Sequence, residues 1–99
     1  MDIKKTQSYD SVELALTGRL DTTTAPRFQE ALFQAFQAAL RIDVDFAGVS
    51  YVSSAGLRVL LLGEKNAKAS NKRMTLKNVS ADIMGILEMT GFKDILTIE

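Results

Sequence analysis

The apolar residues of this chain change their spacing repeatedly, from every second residue to about every 3.6 and back, within 99 residues. Val12, Leu14 and Leu16 alternate with Glu13, Ala15 and Thr17, the pattern of a strand with one buried face. From Thr24 the spacing lengthens. Phe28, Ala31, Leu32, Ala35, Phe36, Ala39 and Leu40 fall on one helical stripe, with Gln29, Glu30, Gln34 and Gln37 off it. Ile42, Val44 and Phe46 then alternate with Asp43 and Asp45. A chain patterned in this way is confined to α/β folds, in which helical crossovers are right-handed and join neighbouring parallel strands.

The remaining elements follow from the same reading. Residues 3–8 and 12–17 form an antiparallel hairpin around Tyr9, Asp10 and Ser11, with a break expected at Gly18. Thr23 or Thr24 is placed to cap the first helix, and Pro26 is tolerated in its first turn. Phe33 lies off the stripe and is expected as an isolated exposed aromatic. A strand over 41–46 leads through a loop, 47–52, into a second helix over 55–69. Leu57, Val59, Leu60, Leu61 and Leu62 make its first turns apolar nearly all round, so these are expected against a sheet, with Glu64, Lys65 and Lys68 solvated. A strand over 74–77, a helix over 81–89 capped by Ser80 and ended by Gly91, and a closing strand over 95–98 complete the order ββαβαβαβ. The fold class is a small mixed sheet of four or five strands with helices packed on it. In such sheets partners meet the loops beyond the carboxyl ends of the parallel strands, where residues 46–54 lie.

Composition removes most kinds of chemistry. With no cysteine and no histidine the chain lacks disulfides, thiol nucleophiles, the commonest general base and the commonest zinc ligands. Twelve Lys and Arg balance twelve Asp and Glu, so no overall field draws it to nucleic acid or an acidic membrane. No segment approaches the roughly 20 apolar residues of a membrane span, and the start lacks the apolar core of a signal peptide. A cytoplasmic single domain over residues 1–99, monomeric and without metal or cofactor, is expected. Asp43 and Asp45 share a strand face and are the one carboxylate pair that could hold magnesium. No threonine or lysine partner follows at a suitable place, so they are expected to be solvated or bonded to a loop, and no enzyme is expected.

The chemistry that remains sits at Ser53 and Ser54, where the second helix begins and backbone N–H groups lack intrahelical partners. Plain capping accounts for one serine, at about 1 kcal/mol. A phosphate there would meet the same free donors and the positive end of the helix dipole. Arg58 lies one turn after Ser54; a cation so near a helix start opposes the dipole and points to an anion.

Three segments in order resemble the STAS domain of bacterial anti-sigma-factor antagonists. They are Gly18-Arg19-Leu20-Asp21, then Asp45 with Ser54-Ala55-Gly56-Leu57, then Met89-Thr90-Gly91-Phe92 leading to Leu96. The resemblance covers nearly the whole chain and implies a protein-binding switch. The unphosphorylated antagonist binds an anti-sigma factor that is also a serine kinase, the kinase phosphorylates the helix-start serine, the complex separates, and a serine phosphatase resets it. The matching position is Ser54, with Ser53 the second choice. Asp21, Thr22, Ser53, Ser54 and Arg58 are the partner-facing residues it implies, although Asp21 is as readily a turn acceptor beside Thr22 and Thr23. Gly56 is expected where helix and sheet pack closely.

Two departures stand out. Many members have aspartate directly before the serine, where this chain has Ser53, and many carry another helix after the last strand, where this sequence ends at Glu99. The alternative implied by other relatives is a non-switching accessory subunit of a transport or stress-signalling complex.

Overall fold

The computed structural model describes residues 1–99. Its four-stranded sheet runs in the order β1-β2-β3-β4, with β1 (Asp2–Gln7) antiparallel to β2 (Ser11–Leu20), and β2, β3 (Arg41–Val52) and β4 (Arg73–Lys77) mutually parallel. The helices are α1 (Ala25–Ala38), α2 (Ser54–Ala69) and α3 (Ala81–Thr90). Val12, Leu14 and Leu16 of β2, Ile42, Val44 and Phe46 of β3, and Met74 and Leu76 of β4 are buried together with Phe28, Leu32 and Phe36 of α1 and Leu57, Val59 and Leu60 of α2. The residues between them carry the opposite character: Glu13, Asp43, Asp45, Thr75 and Lys77 make that other sheet face polar.

The expected order of elements stands, with corrections at its ends. β2 does not break at Gly18 but continues to Leu20, and residues 47–52 are not a loop but the second half of β3. Between Ala15↔Asp45 and Leu20↔Val52, β2 advances five positions and β3 advances seven, so β3 holds two extra residues. Each extra residue is a bulge, which shifts the alternation and hides the strand from a period-two reading. Val49 and Val52 are both buried although three residues apart. Gly18, at φ 104°, allows the turn of the ladder that an L side chain would resist. The Asp45 carboxylate secures the first bulge by accepting from the Ala47 N–H (2.9 Å) and from Asn78 Nδ2 (3.0 Å).

The C-terminal segment also differs. A 3-10 turn at Phe92–Asp94 runs on into a turn at Ile95 and a bend at Leu96, and the tail pairs with the sheet at one bridge only, Leu76↔Ile98. The sheet therefore has four strands rather than five. This tail crosses α2 and buries Glu64, whose Oε1 accepts from the Thr97 N–H at 3.4 Å; the expectation that Glu64 is solvated is wrong. Leu40 leaves the expected stripe because α1 stops at Ala38, and Leu62 faces outward, so both are exposed. Phe33 is half-buried against the core rather than an exposed aromatic. Asp43, the odd residue of β3, lies on the polar face 3.4 Å from Lys77 Nζ and 4.0 Å from Arg41 Nε.

Candidate functional site

The site occupies the carboxyl end of β2 and β3. There the Leu20 carbonyl accepts from the Ser53 N–H at 2.9 Å, tying the end of β2 to the start of α2. Ser53 is the N-cap, its extended backbone turning into the helix and its Oγ accepting from the Gly56 N–H at 3.5 Å. Ser54 is the first helical residue, one earlier than the sequence pattern indicates, and it is exposed with no side-chain hydrogen bond. The two serines thus differ: one is engaged in the cap and half-buried, the other is free. The Gly56 amide is taken by Ser53, and the Ser54 and Ala55 amides of the first turn lack intrahelical partners, an arrangement in which an anion is favoured.

Gly56 lets α2 lie directly on the sheet. A Cβ there would come within 2.7 Å of Leu20 Cγ and 3.1 Å of the Leu20 carbonyl oxygen. Arg58, on the next turn, is exposed and takes part in none of the ion pairs of the molecule. With Thr22, Ala25, Pro26, Gln29, Ala55 and Val59 it lines a shallow hollow of about 230 Å³ between the starts of α1 and α2. Thr22, Ser54 and Arg58 consequently share one end of the molecule.

Asp21 is the acceptor that organises the turn before α1. Its Oδ1 takes the Thr23 hydroxyl at 2.8 Å, the Thr23 N–H at 3.1 Å and the Thr24 N–H at 3.2 Å. Thr24 returns the bond, its Oγ1 accepting from the Asp21 N–H at 2.8 Å and donating to the Arg19 carbonyl at 2.8 Å. Neither Thr23 nor Thr24 caps α1 by its side chain; the Asp21 carboxylate holds the Thr24 N–H just before the helix, and the Asp21 carbonyl accepts from the Ala25 N–H at 2.8 Å. The Thr23 hydroxyl, with further help from the Thr24 and Thr23 amides and against a smaller opposing effect of desolvation, holds the Asp21 carboxyl below the usual carboxylate range. A folded-state value below the unfolded one stabilises the fold above the unfolded value, and that stabilisation disappears as pH falls through the folded one. In an NMR titration Asp21 is expected to protonate below the ordinary aspartate midpoint, with the Thr23 and Thr24 amide signals moving at the same pH. Amide signals that move at an ordinary carboxylate midpoint would remove the turn's role.

Arg19 and Tyr51 belong to this end and were not singled out by the sequence. The Arg19 guanidinium lies 4.2 Å from the Tyr51 ring centroid and 3.5 Å from Asp21 Oδ2. Their apposition follows from the second bulge, which places Arg19 opposite Tyr51; only an exposed aromatic two residues before Ser53 hinted at it.

A family model described as "Mlab, STAS domain" matches residues 3–97. The chain belongs to the STAS family. Among its relatives, the anti-sigma-B factor antagonist of Staphylococcus aureus is 31% identical over 97 residues, covering 97% of this chain and 90% of that one. The anti-sigma-B factor antagonist of Listeria monocytogenes is 29% identical over 97 residues, covering 96% of this chain and 84% of that one. The Bacillus cell-fate determinant SpoIIAA, in its phosphorylated form, superposes with a TM-score of 0.76 at 20% identity over 99% of this chain and 91% of that one. At such identity the superposition shows the STAS fold. No helix of this STAS protein is long and apolar enough to cross a membrane.

Proposed function

We propose that this STAS domain, acting as a single cytoplasmic unit and without catalysis of its own, is an anti-sigma factor antagonist switched by phosphorylation of Ser54. Unphosphorylated, it binds an anti-sigma factor serine kinase through the end of the sheet that carries Asp21, Thr22, Ser53, Ser54 and Arg58. Phosphate on Ser54 releases the kinase, and a serine phosphatase restores the binding form. The reading rests first on one observation: Ser54 is exposed and unbonded at the first position of α2, while Ser53 is occupied as its cap. That difference favours Ser54 over Ser53 as the acceptor. The names of the relatives from Staphylococcus and Listeria support the antagonist role, and phosphorylated SpoIIAA has the same fold.

Tandem mass spectrometry of the protein isolated from its own cells, growing and stressed, tests the proposal. Phosphate on Ser54 that varies with condition is the expected result. Phosphate on Ser53 instead would keep a switch and move its site. A chain that carries no phosphate in any condition yet co-purifies with a constant partner would overturn the switch in favour of a constitutive accessory subunit.

A further inference from the structure

The polar face of the sheet holds a second feature, at the end opposite Ser54. Arg41 and Arg73 are the first residues of β3 and β4 and are paired directly across the parallel ladder. Neighbouring strands lie about 4.8 Å apart, so two guanidinium stems rise side by side from one face. Like charges placed directly opposite on a sheet are destabilising. Only half of this arrangement is compensated. Asp43 is 4.0 Å from Arg41 Nε but is more closely held by Lys77, at 3.4 Å, and Lys77 is further drawn to Glu99 at 3.9 Å. Arg73 has no acidic partner and no side-chain hydrogen bond.

The two arginines, Asp43, Thr75, Lys77 and Glu99 line a hollow of about 250 Å³ that contains no apolar side chain. Thr75 is nearly buried at its floor, 4% exposed, and its hydroxyl makes no hydrogen bond within the protein. It nonetheless retains contact with the hollow, since no buried side-chain polar atom of the molecule lacks a partner. Lys77 contacts both side-chain carboxylates of the hollow, and Arg73 contacts neither. The groups open to a ligand are therefore the Arg73 guanidinium, the part of the Arg41 guanidinium that its 4.0 Å contact with Asp43 leaves free, and the Thr75 hydroxyl.

We propose that this hollow is an oxyanion site for a phosphate group, free or carried on a small phosphoester or lipid headgroup. Two oxygens of the phosphate bridge Arg41 and Arg73, and a third accepts from the Thr75 hydroxyl. The bound anion cancels the repulsion that the ladder builds in, and guanidinium forks match phosphate geometry better than ammonium groups do. The site lies at the far end of β3 from Ser54 and does not depend on the switch proposed above.

The test uses the whole protein, labelled for NMR, with inorganic phosphate as one probe and phosphatidylcholine vesicles containing phosphatidic acid as the other. Ionic strength is matched with chloride, because screening alone moves the signals of exposed arginines. Saturable shifts at Arg41, Asp43, Arg73 and Thr75 are expected, with Ser53 to Gly56 unmoved. Arg73→Gln and Arg41→Gln are each expected to weaken binding at least tenfold, whereas Lys65→Gln, on the exposed side of α2, leaves it unchanged. Saturation by phosphate identifies a free or small-ester ligand, and saturation by vesicles alone identifies a headgroup. The proposal fails if neither probe saturates at millimolar concentration, if chloride reproduces the shifts, or if a correctly folded Arg73→Gln binds like the wild type.

Discussion

Gly56→Val is expected to lower the melting temperature by about 10–20 °C, from an overpacking cost of about 2–3 kcal/mol in a domain of this size. The added Cβ would fall 2.7 Å from Leu20 Cγ, 3.0 Å from its Cδ2 and 3.1 Å from its carbonyl oxygen. Leu20 is fully buried, so its side chain has nowhere to go. Its carbonyl is also the acceptor for the Ser53 N–H, so relief by a backbone shift would loosen the start of α2. Other glycines of the helices calibrate the result. A Cβ on Gly63 meets the side-chain ends of Leu32 (2.7 Å) and Met74 (2.8 Å) and no backbone atom as close, so a smaller loss is expected there. At Gly85 nothing lies within 4 Å, and Gly85→Ala is expected to gain about 0.5–1 kcal/mol from lower unfolded-state entropy and better helix propensity. Thermal unfolding of Gly56→Val, Gly63→Ala and Gly85→Ala should rank them in that order, from least to most stable. An unchanged melting temperature for Gly56→Val would show that α2 does not rest on Leu20 as described.

Ser54→Asp is expected to weaken binding to the anti-sigma factor kinase by about 100-fold, equivalent to about 2.7 kcal/mol, while leaving the fold intact. Ser54 has no side-chain hydrogen bond to lose, and a carboxylate at the first turn of a helix is favoured by the dipole. The cost falls on the complex, where a charge forced into the contact surface must be desolvated without a partner. Ser54→Ala is expected to bind as the wild type does and never to be phosphorylated. The neighbouring Ser53→Ala has the reverse profile: it removes the cap of α2 at a cost of about 1 kcal/mol and introduces no charge. Calorimetric titration of the kinase with each variant separates these effects. Equal affinity of Ser54→Asp and Ser54→Ala would rule out a charge switch at this residue.

The bulges of β3 link these two predictions. Because β3 takes seven steps where β2 takes five, Val52 comes to rest opposite Leu20, and Ser53 is delivered within reach of the Leu20 carbonyl. The cap, the free serine after it and the glycine that lies on Leu20 then follow in consecutive positions. The polar end of the sheet, around Arg41 and Arg73, precedes the bulges and keeps the regular ladder.

Local pattern was sufficient for much of this. The period-two runs of β2 and β3, the stripe of α1 and the caps at Ser80 and Gly91 are encoded by residues a few positions apart, so the order of elements and the buried face of the sheet are legible in the chain itself. The same is true of Ser54 and Gly56, which stand where a helix must start and pack closely. What the tertiary structure alone decided depends on residues far apart in sequence. The second half of β3 exists because β2 offers it a partner across the bulges, and no alternation announces it. Glu64 is buried because a tail 33 residues further on lies over it. Arg41 and Arg73 become neighbours only through the parallel ladder, and Arg19 meets Tyr51 only through a bulge. Hydrophobic periodicity reports the face that each segment turns to the core; it carries no information about which distant polar residues the finished sheet brings side by side.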